Sequence, residues 1–132
     1  MAEPPNVTDR AGNSTGIGVE RVDFVNIATR DAEQTRTWYR DVLGLPVDPA
    51  NPEELTAGQV TLTFWQPEDE GIEFKPDIAG FALRVADVDR AKAALETEGA
   101  ECVGSGDTGV CKMAVFLDPD GNAVILHRRH DA

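Results

Sequence analysis

The side chains best equipped for chemistry are few and scattered. His127 lies in a strand-like run near the C-terminal end, where an imidazole can contact a ligand or move a proton near neutral pH. The plainer use is a surface histidine at the end of a strand, and His130 falls in a polar tail. Arg84 lies in the run Ile78–Val85, on the face that alternation also gives to Gly80 and Ala82. An arginine on an inward face is costly to bury unless it meets a carboxylate, supplied by the protein or by a ligand. Three uses therefore stand open for it: anion anchor, structural ion pair, or a snorkelled surface residue with its head in water. Cys102 and Cys111 flank Gly104-Ser105-Gly106-Asp107-Thr108-Gly109 and could face each other across a hairpin. They lack CxxC spacing and a histidine partner, so two reduced thiols is the plainer reading. No nucleophile–base pair is visible, and most carboxylates fall on helices, turns and a linker. Phe24 and Trp65 offer flat apolar faces that suit a planar guest or simply fill a wall.

Composition narrows the classes. The 132 residues carry 24 acidic and 12 basic side chains, a formal net charge of −12. That argues against a nucleic-acid or anionic-membrane partner, since both need basic patches. A cationic guest is compatible with this charge, and so is plain solubility. No apolar run approaches the ~20 residues of a membrane span, and the N-terminal stretch lacks the basic and apolar regions of a signal peptide. A cytoplasmic location is the expectation. A chain of this size buries roughly 70% of its unfolded surface, enough to fold without disulfides or metal.

Residues 1–18 are rich in Pro, Gly, Asn, Ser and Thr and read as a flexible tail before a domain at 19–129. Val22–Thr29 reads as a strand. Asp31 is a good N-cap, with Gln34 placed for a capping box, and Ala32, Thr35, Trp38, Tyr39 and Val42 form a helical stripe. Gly44 ends that helix and Pro46 prevents its resumption. Three prolines in 46–54 predict short or broken strands. Val60–Trp65 is a clear strand, and 67–77 is an acidic, breaker-rich linker.

The plan then repeats. Ile78–Val85 reads as a strand, Asp87 caps a helix with Val88, Ala91 and Leu95 on its stripe, and Gly99 stops it. Cys102–Val103 and Lys112–Leu117 are predicted strands around the glycine-rich turn, and Asn122–His127 is the last. Between the final two, Asp118-Pro119-Asp120-Gly121 has proline where a turn wants a fixed φ and glycine where it wants a positive one. Laying Asp31 over Asp87 gives an internal repeat of about 56 residues. The predicted class is α+β, two tandem βαβββ modules at about 20–68 and 78–128, forming a curved mixed sheet around a cavity. Alternation assigns the faces away from the helices to that cavity: Phe24, Asn26, Thr61, Thr63, Trp65, Gly80, Ala82, Arg84, Ala123, Ile125 and His127.

This repeat resembles the vicinal oxygen chelate superfamily, which holds glyoxalase I, extradiol dioxygenases, fosfomycin-resistance enzymes and bleomycin-resistance proteins. The resemblance rests on Asp23–Asp31, on Trp38-Tyr39-Arg40-Asp41-Val42-Leu43-Gly44-Leu45, on Phe81–Asp89, and on Leu117-Asp118-Pro119-Asp120-Gly121-Asn122. Metal-dependent members carry ligands at four positions that correspond here to Phe24, Thr61, Gly80 and Ile125. Phe, Gly and Ile side chains have no lone pair to donate, and a single Thr hydroxyl is a poor ligand. The resemblance thus implies a protein without metal or other cofactor, binding a small organic ligand as bleomycin-resistance members do and sequestering an antibiotic or metabolite. It also implies a homodimer. The alternative it leaves open is a glyoxalase-type lyase or isomerase, or a dioxygenase, acting on a small oxygenated substrate. A stand-alone regulatory or assembly domain is a third use of the same fold.

Overall fold

A computed structural model describes residues 16–132. The N-terminal tail expected at 1–18 thus lies largely outside the described residues, and residues 16–18 form a turn. The chain runs through β1 (Phe24–Ala28), α1 (Ala32–Asp41), β2 (Leu55–Ala57) and β3 (Val60–Trp65), then a 3-10 turn at Pro67–Glu70. It continues with β4 (Phe81–Arg84), α2 (Val88–Thr97), β5 (Glu101–Asp107), β6 (Cys111–Leu117) and β7 (Ala123–Arg129).

Both helices start where the sequence says they should. Asp31 Oδ1 accepts the N–H of Gln34 at 3.1 Å and Asp87 Oδ1 that of Arg90 at 3.0 Å, each satisfying one of the unpaired donors of a first turn. The stripe of α1 turns Thr35 and Tyr39 fully inward, and that of α2 turns Val88 and Leu95 inward.

The strands form two mixed sheets, ordered β1-β3-β2 and β4-β7-β6-β5. In each, the first strand pairs parallel with the last strand of its own module, Phe24 beside Thr61 in one and Ala82 beside Ile125 in the other. The architecture is α+β, as expected, but the expected fourth strand of module one is reduced to a single bridge between Val47 and Leu55. Pro46, Pro49 and Pro52 deny that stretch the N–H groups a ladder needs.

Three other expectations are corrected. The strand expected from Ile78 begins at Phe81, because Asp77 Oδ1 accepts the N–H groups of Ala79 and Gly80 and holds 77–80 as a turn. The glycine-rich segment expected as a turn is mostly strand: β5 runs through Gly104 and Gly106 to Asp107, and only 108–110 turn. Turn chemistry is concentrated at its end, where Asp107 accepts the N–H of Gly109 and Gly109 takes φ +86°. The register then sets Cys102 opposite Phe116 and Cys111 opposite Arg129, so the two thiols do not face each other, and both are free.

Two clusters form the core. Ile27, Tyr39, Leu55 and Leu62 of module one enclose Val124 of module two, and Val88, Leu95, Ala114, Phe116 and Leu126 lie under α2. The turn Asp118–Gly121 is the polar joint between the modules. Tyr39 O–H donates to Asp118 Oδ2 at 2.8 Å, and Thr35 Oγ1 donates to Asp120 Oδ2 at 2.8 Å, joined there by the hydroxyl of Thr29. Asn122 Nδ2 donates to the carbonyl of Ala28 at 2.8 Å, while its Oδ1 accepts the N–H of Asp77 at 2.8 Å. Burial, with Asp118 beside it, pushes the Tyr39 phenol well above the ordinary range, so it stays a donor.

Candidate functional site

The residues expected to line one cavity fall on two sheets. On the first, Phe24 stands beside Thr61 and Asn26 beside Thr63, whose hydroxyl donates to Asn26 Oδ1 at 3.0 Å. Trp65 lies at the end of the same face, with its Nε1–H toward Glu70 Oε1 at 3.5 Å. On the second sheet Ala82 stands beside Ile125 and Arg84 beside His127, and Met113 flanks His127 on its other side. The geometry thus brings the two halves of the set together separately, one half per sheet.

The four positions to which the resemblance assigns metal ligands offer almost no donor atoms. Phe24, Gly80 and Ile125 present no donor atom, which leaves one threonine hydroxyl. Gly80 is further constrained by its backbone. It has φ +71°, and a Cβ built there would lie 2.2 Å from the carbonyl oxygen of Ala123. No side chain of any kind, histidine included, enters that position without a backbone shift. Among the described residues no group of three or more His, Cys, Asp and Glu is placed to hold an ion.

A cleft of about 680 Å3 opens instead between the modules. Val25, Val60 and Leu62 form one wall, Leu43, Leu45 and Pro46 close an end, and Phe81, Leu83, Val85 and Leu126 form the facing wall. This volume is in the range of small-molecule sites, roughly 300–1,000 Å3. Its walls are apolar because they come from the helix-facing sides of β1, β3 and β4, which the alternation marks as hydrophobic. At the other end of the same seam the modules close on a space of only about 30 Å3, beside Asn26, Ala28 and Asn122. The polar joint at Asn122 therefore holds one end shut while the edges of β1 and β4 diverge toward the other.

Of the expected site residues, Ala82 and Arg84 reach the cleft; Phe24, Asn26, Thr61, Thr63, Trp65, Gly80, Ile125 and His127 do not line it. Val25, Leu62, Phe81 and Leu83, on the opposite, helix-facing sides of their strands, line it instead. Their strand alternation was correct, but no periodicity reports how far apart two modules sit.

Arg84 is the one titratable side chain on the cleft lining among the described residues, and it makes no ion pair or side-chain hydrogen bond with any of them. Several other cations are paired, Lys112 with Asp89, Lys92 with Glu96 and Arg129 with Asp131. The Arg30 guanidinium lies 4.5 Å from the centre of the Phe74 ring. His130 is far from the cleft in role, bonded to Asp107 at 2.8 Å; that contact and the Gly109 N–H hold the Asp107 carboxyl below its usual range.

Comparison with known proteins places this geometry. The solved structures it is similar to include TnmS3, an antibiotic-binding protein from Streptomyces sp. CB03234, at 22% identity and TM-score 0.70, with 84% of this chain and 97% of that one covered. Another is a lactoylglutathione lyase from Agrobacterium tumefaciens, at 17% identity and TM-score 0.69, covering 83% and 93%. A glyoxalase family protein from Bacillus anthracis aligns at 20% identity and TM-score 0.71, covering 85% and 97%. At such identities the likeness is one of fold. No curated protein matches the chain. The family model does match, over residues 21–126, and the chain belongs to the Glyoxalase/Bleomycin resistance protein/Dioxygenase superfamily.

Proposed function

We propose that this protein binds a small organic molecule without metal and does not turn it over. The observation that carries the reading is the inter-module cleft of about 680 Å3, with apolar walls and one cation at its rim. A preformed apolar hollow holds a guest by removing hydrophobic surface from water, about 25 cal/mol per Å2 before the cost of immobilising it. The same lining offers no carboxylate, imidazole or thiol for proton transfer or nucleophilic attack among the described residues. The four ligand positions without a donor set support metal-independence, and the antibiotic-binding neighbour supplies a fold precedent for sequestration.

A second copy of the chain is the macromolecular partner this reading favours. Phe24, 54% exposed, begins β1, whose outer edge is unpaired, and a partner strand there would cover it. Sedimentation at micromolar concentration is expected to give a dimer, and a monomer throughout would count against that partner.

The test of the binding reading is thermal stabilisation by a panel of uncharged aromatic and aliphatic compounds, run in chelator and again with zinc, nickel or iron(II) added. At least one class should raise the melting temperature equally with and without metal. Val60→Trp, which fills the cleft from its wall, should cancel the shift. Stabilisation that appears only with a divalent ion would refute the reading and favour a lyase or dioxygenase.

A further inference from the structure

Resting on the cleft as the binding site, we infer that its guest is an organic acid: an apolar body carrying one anionic group held at the edge of β4 by Arg84. The inference starts from the backbone. Strand β4 is the outer strand of its sheet, paired with β7 on one side only. Val85 donates its N–H to the carbonyl of His127. In a parallel pair alternate residues turn both peptide groups the same way, so Phe81, Leu83 and Val85 face β7 while Ala82 and Arg84 turn theirs outward. Those two residues are the part of β4 whose edge reaches the cleft. The edge beside the cleft therefore presents two peptide N–H donors, with their carbonyls alongside, that no strand satisfies, next to a wall that is otherwise aliphatic and aromatic.

The second observation is the charge of the side chain on that edge. Arg84 is exposed at this edge and has no acidic partner among the described residues, so its guanidinium is free to meet a guest. Its neighbour across the β4–β7 pair is His127, whose imidazole makes no ion pair with them. A guanidinium and outward peptide N–H groups on one short strand form a donor set that matches a planar carboxylate or a sulfonate, and the fork geometry of arginine favours two-point contact. A cationic guest, which the overall charge alone would suggest, meets the one cation on the lining and is disfavoured there. The surrounding carboxylates then select: they repel acids in general, and only one with enough apolar surface to fill the cleft gains what it needs to stay.

Two dyes that share one ring system separate the parts of this argument. 8-Anilinonaphthalene-1-sulfonate and the uncharged 1-anilinonaphthalene are titrated by fluorescence into the full chain at low ionic strength, in chelator. The sulfonate should bind about tenfold or more tighter than the neutral dye, a preference that shrinks as salt is raised. Arg84→Ala should bring the ratio of the two affinities close to one, and Arg84→Lys should restore part of it. Val60→Trp should weaken both dyes, and Ala57→Phe provides a second filling of the same space if that variant folds poorly. Equal affinities in the parent protein would overturn the acid assignment and leave the cleft reading standing. A sulfonate preference that survives in Arg84→Ala, or in a folded cleft-filling variant, would place the anion elsewhere and overturn it as well. If neither dye binds the parent protein, both the assignment and the cleft reading fail.

Discussion

Tyr39 and Asp118 carry more of this molecule than any residue of the cleft. Tyr39 is fully buried, donates to Asp118, meets Trp38 edge-on and Phe64 at a tilt within its own module, and stacks near Phe81 across the seam. It is the chain's only tyrosine, so its titration can be read without overlap. Because burial and the neighbouring carboxylate raise its folded pKa above the ordinary 10.0, its contribution is complete below pH 10 and is lost as pH rises further. Alkaline titration should therefore show no tyrosinate absorbance while the fold persists, and a rise only on unfolding. Half-ionisation near pH 10 with unchanged circular dichroism would contradict that. Tyr39→Phe leaves Asp118 Oδ2 short of one donor and should destabilise the protein by about 1–3 kcal/mol in denaturant unfolding. The sequence made Tyr39 legible as core through helical spacing, and Asp118-Pro119-Asp120-Gly121 legible as a turn. Their bond was hidden, since the two residues lie 79 positions apart in different modules.

At the scale of elements, capping and turn chemistry were readable and pairing was not. Asp31 and Asp87 each hold a first-turn N–H, and replacing either with alanine should cost about 1 kcal/mol, measured by chemical denaturation. Gly80 is the sharper case. Its place in the repeat invites the idea that a histidine could be installed there to rebuild a metal site. The left-handed backbone and the Ala123 carbonyl 2.2 Å from a would-be Cβ forbid it. Gly80→Ala should lower stability by more than the ~1–2 kcal/mol of the backbone conformation alone. A neutral substitution would mean that the start of β4 sits differently. The glycine-rich β5 shows the opposite failure. Composition marked it as a turn, but an edge strand whose only partner is β6 tolerates glycine where nothing packs on it.

Over the whole molecule, the repeat, the α+β class and the family were available from the chain, because capped helices and alternating strands recur at the same offset. The location of the cleft was not. It depends on how the two modules are set against each other, closed at Asn122 and open at Arg84, and that setting arises from contacts between residues far apart in sequence. Helix-facing side chains that would be core in a single module become the walls of a hollow when two modules meet at one end only. No helix of the described residues is long and apolar enough to cross a membrane. The decisive experiment is an equilibrium titration of purified protein with 1-anilinonaphthalene in excess chelator. Saturable binding of one dye per chain, unaffected by later addition of zinc, nickel or iron(II), is the expected result. No saturation in chelator, or binding that emerges only when a divalent ion is restored, would contradict a metal-independent cleft.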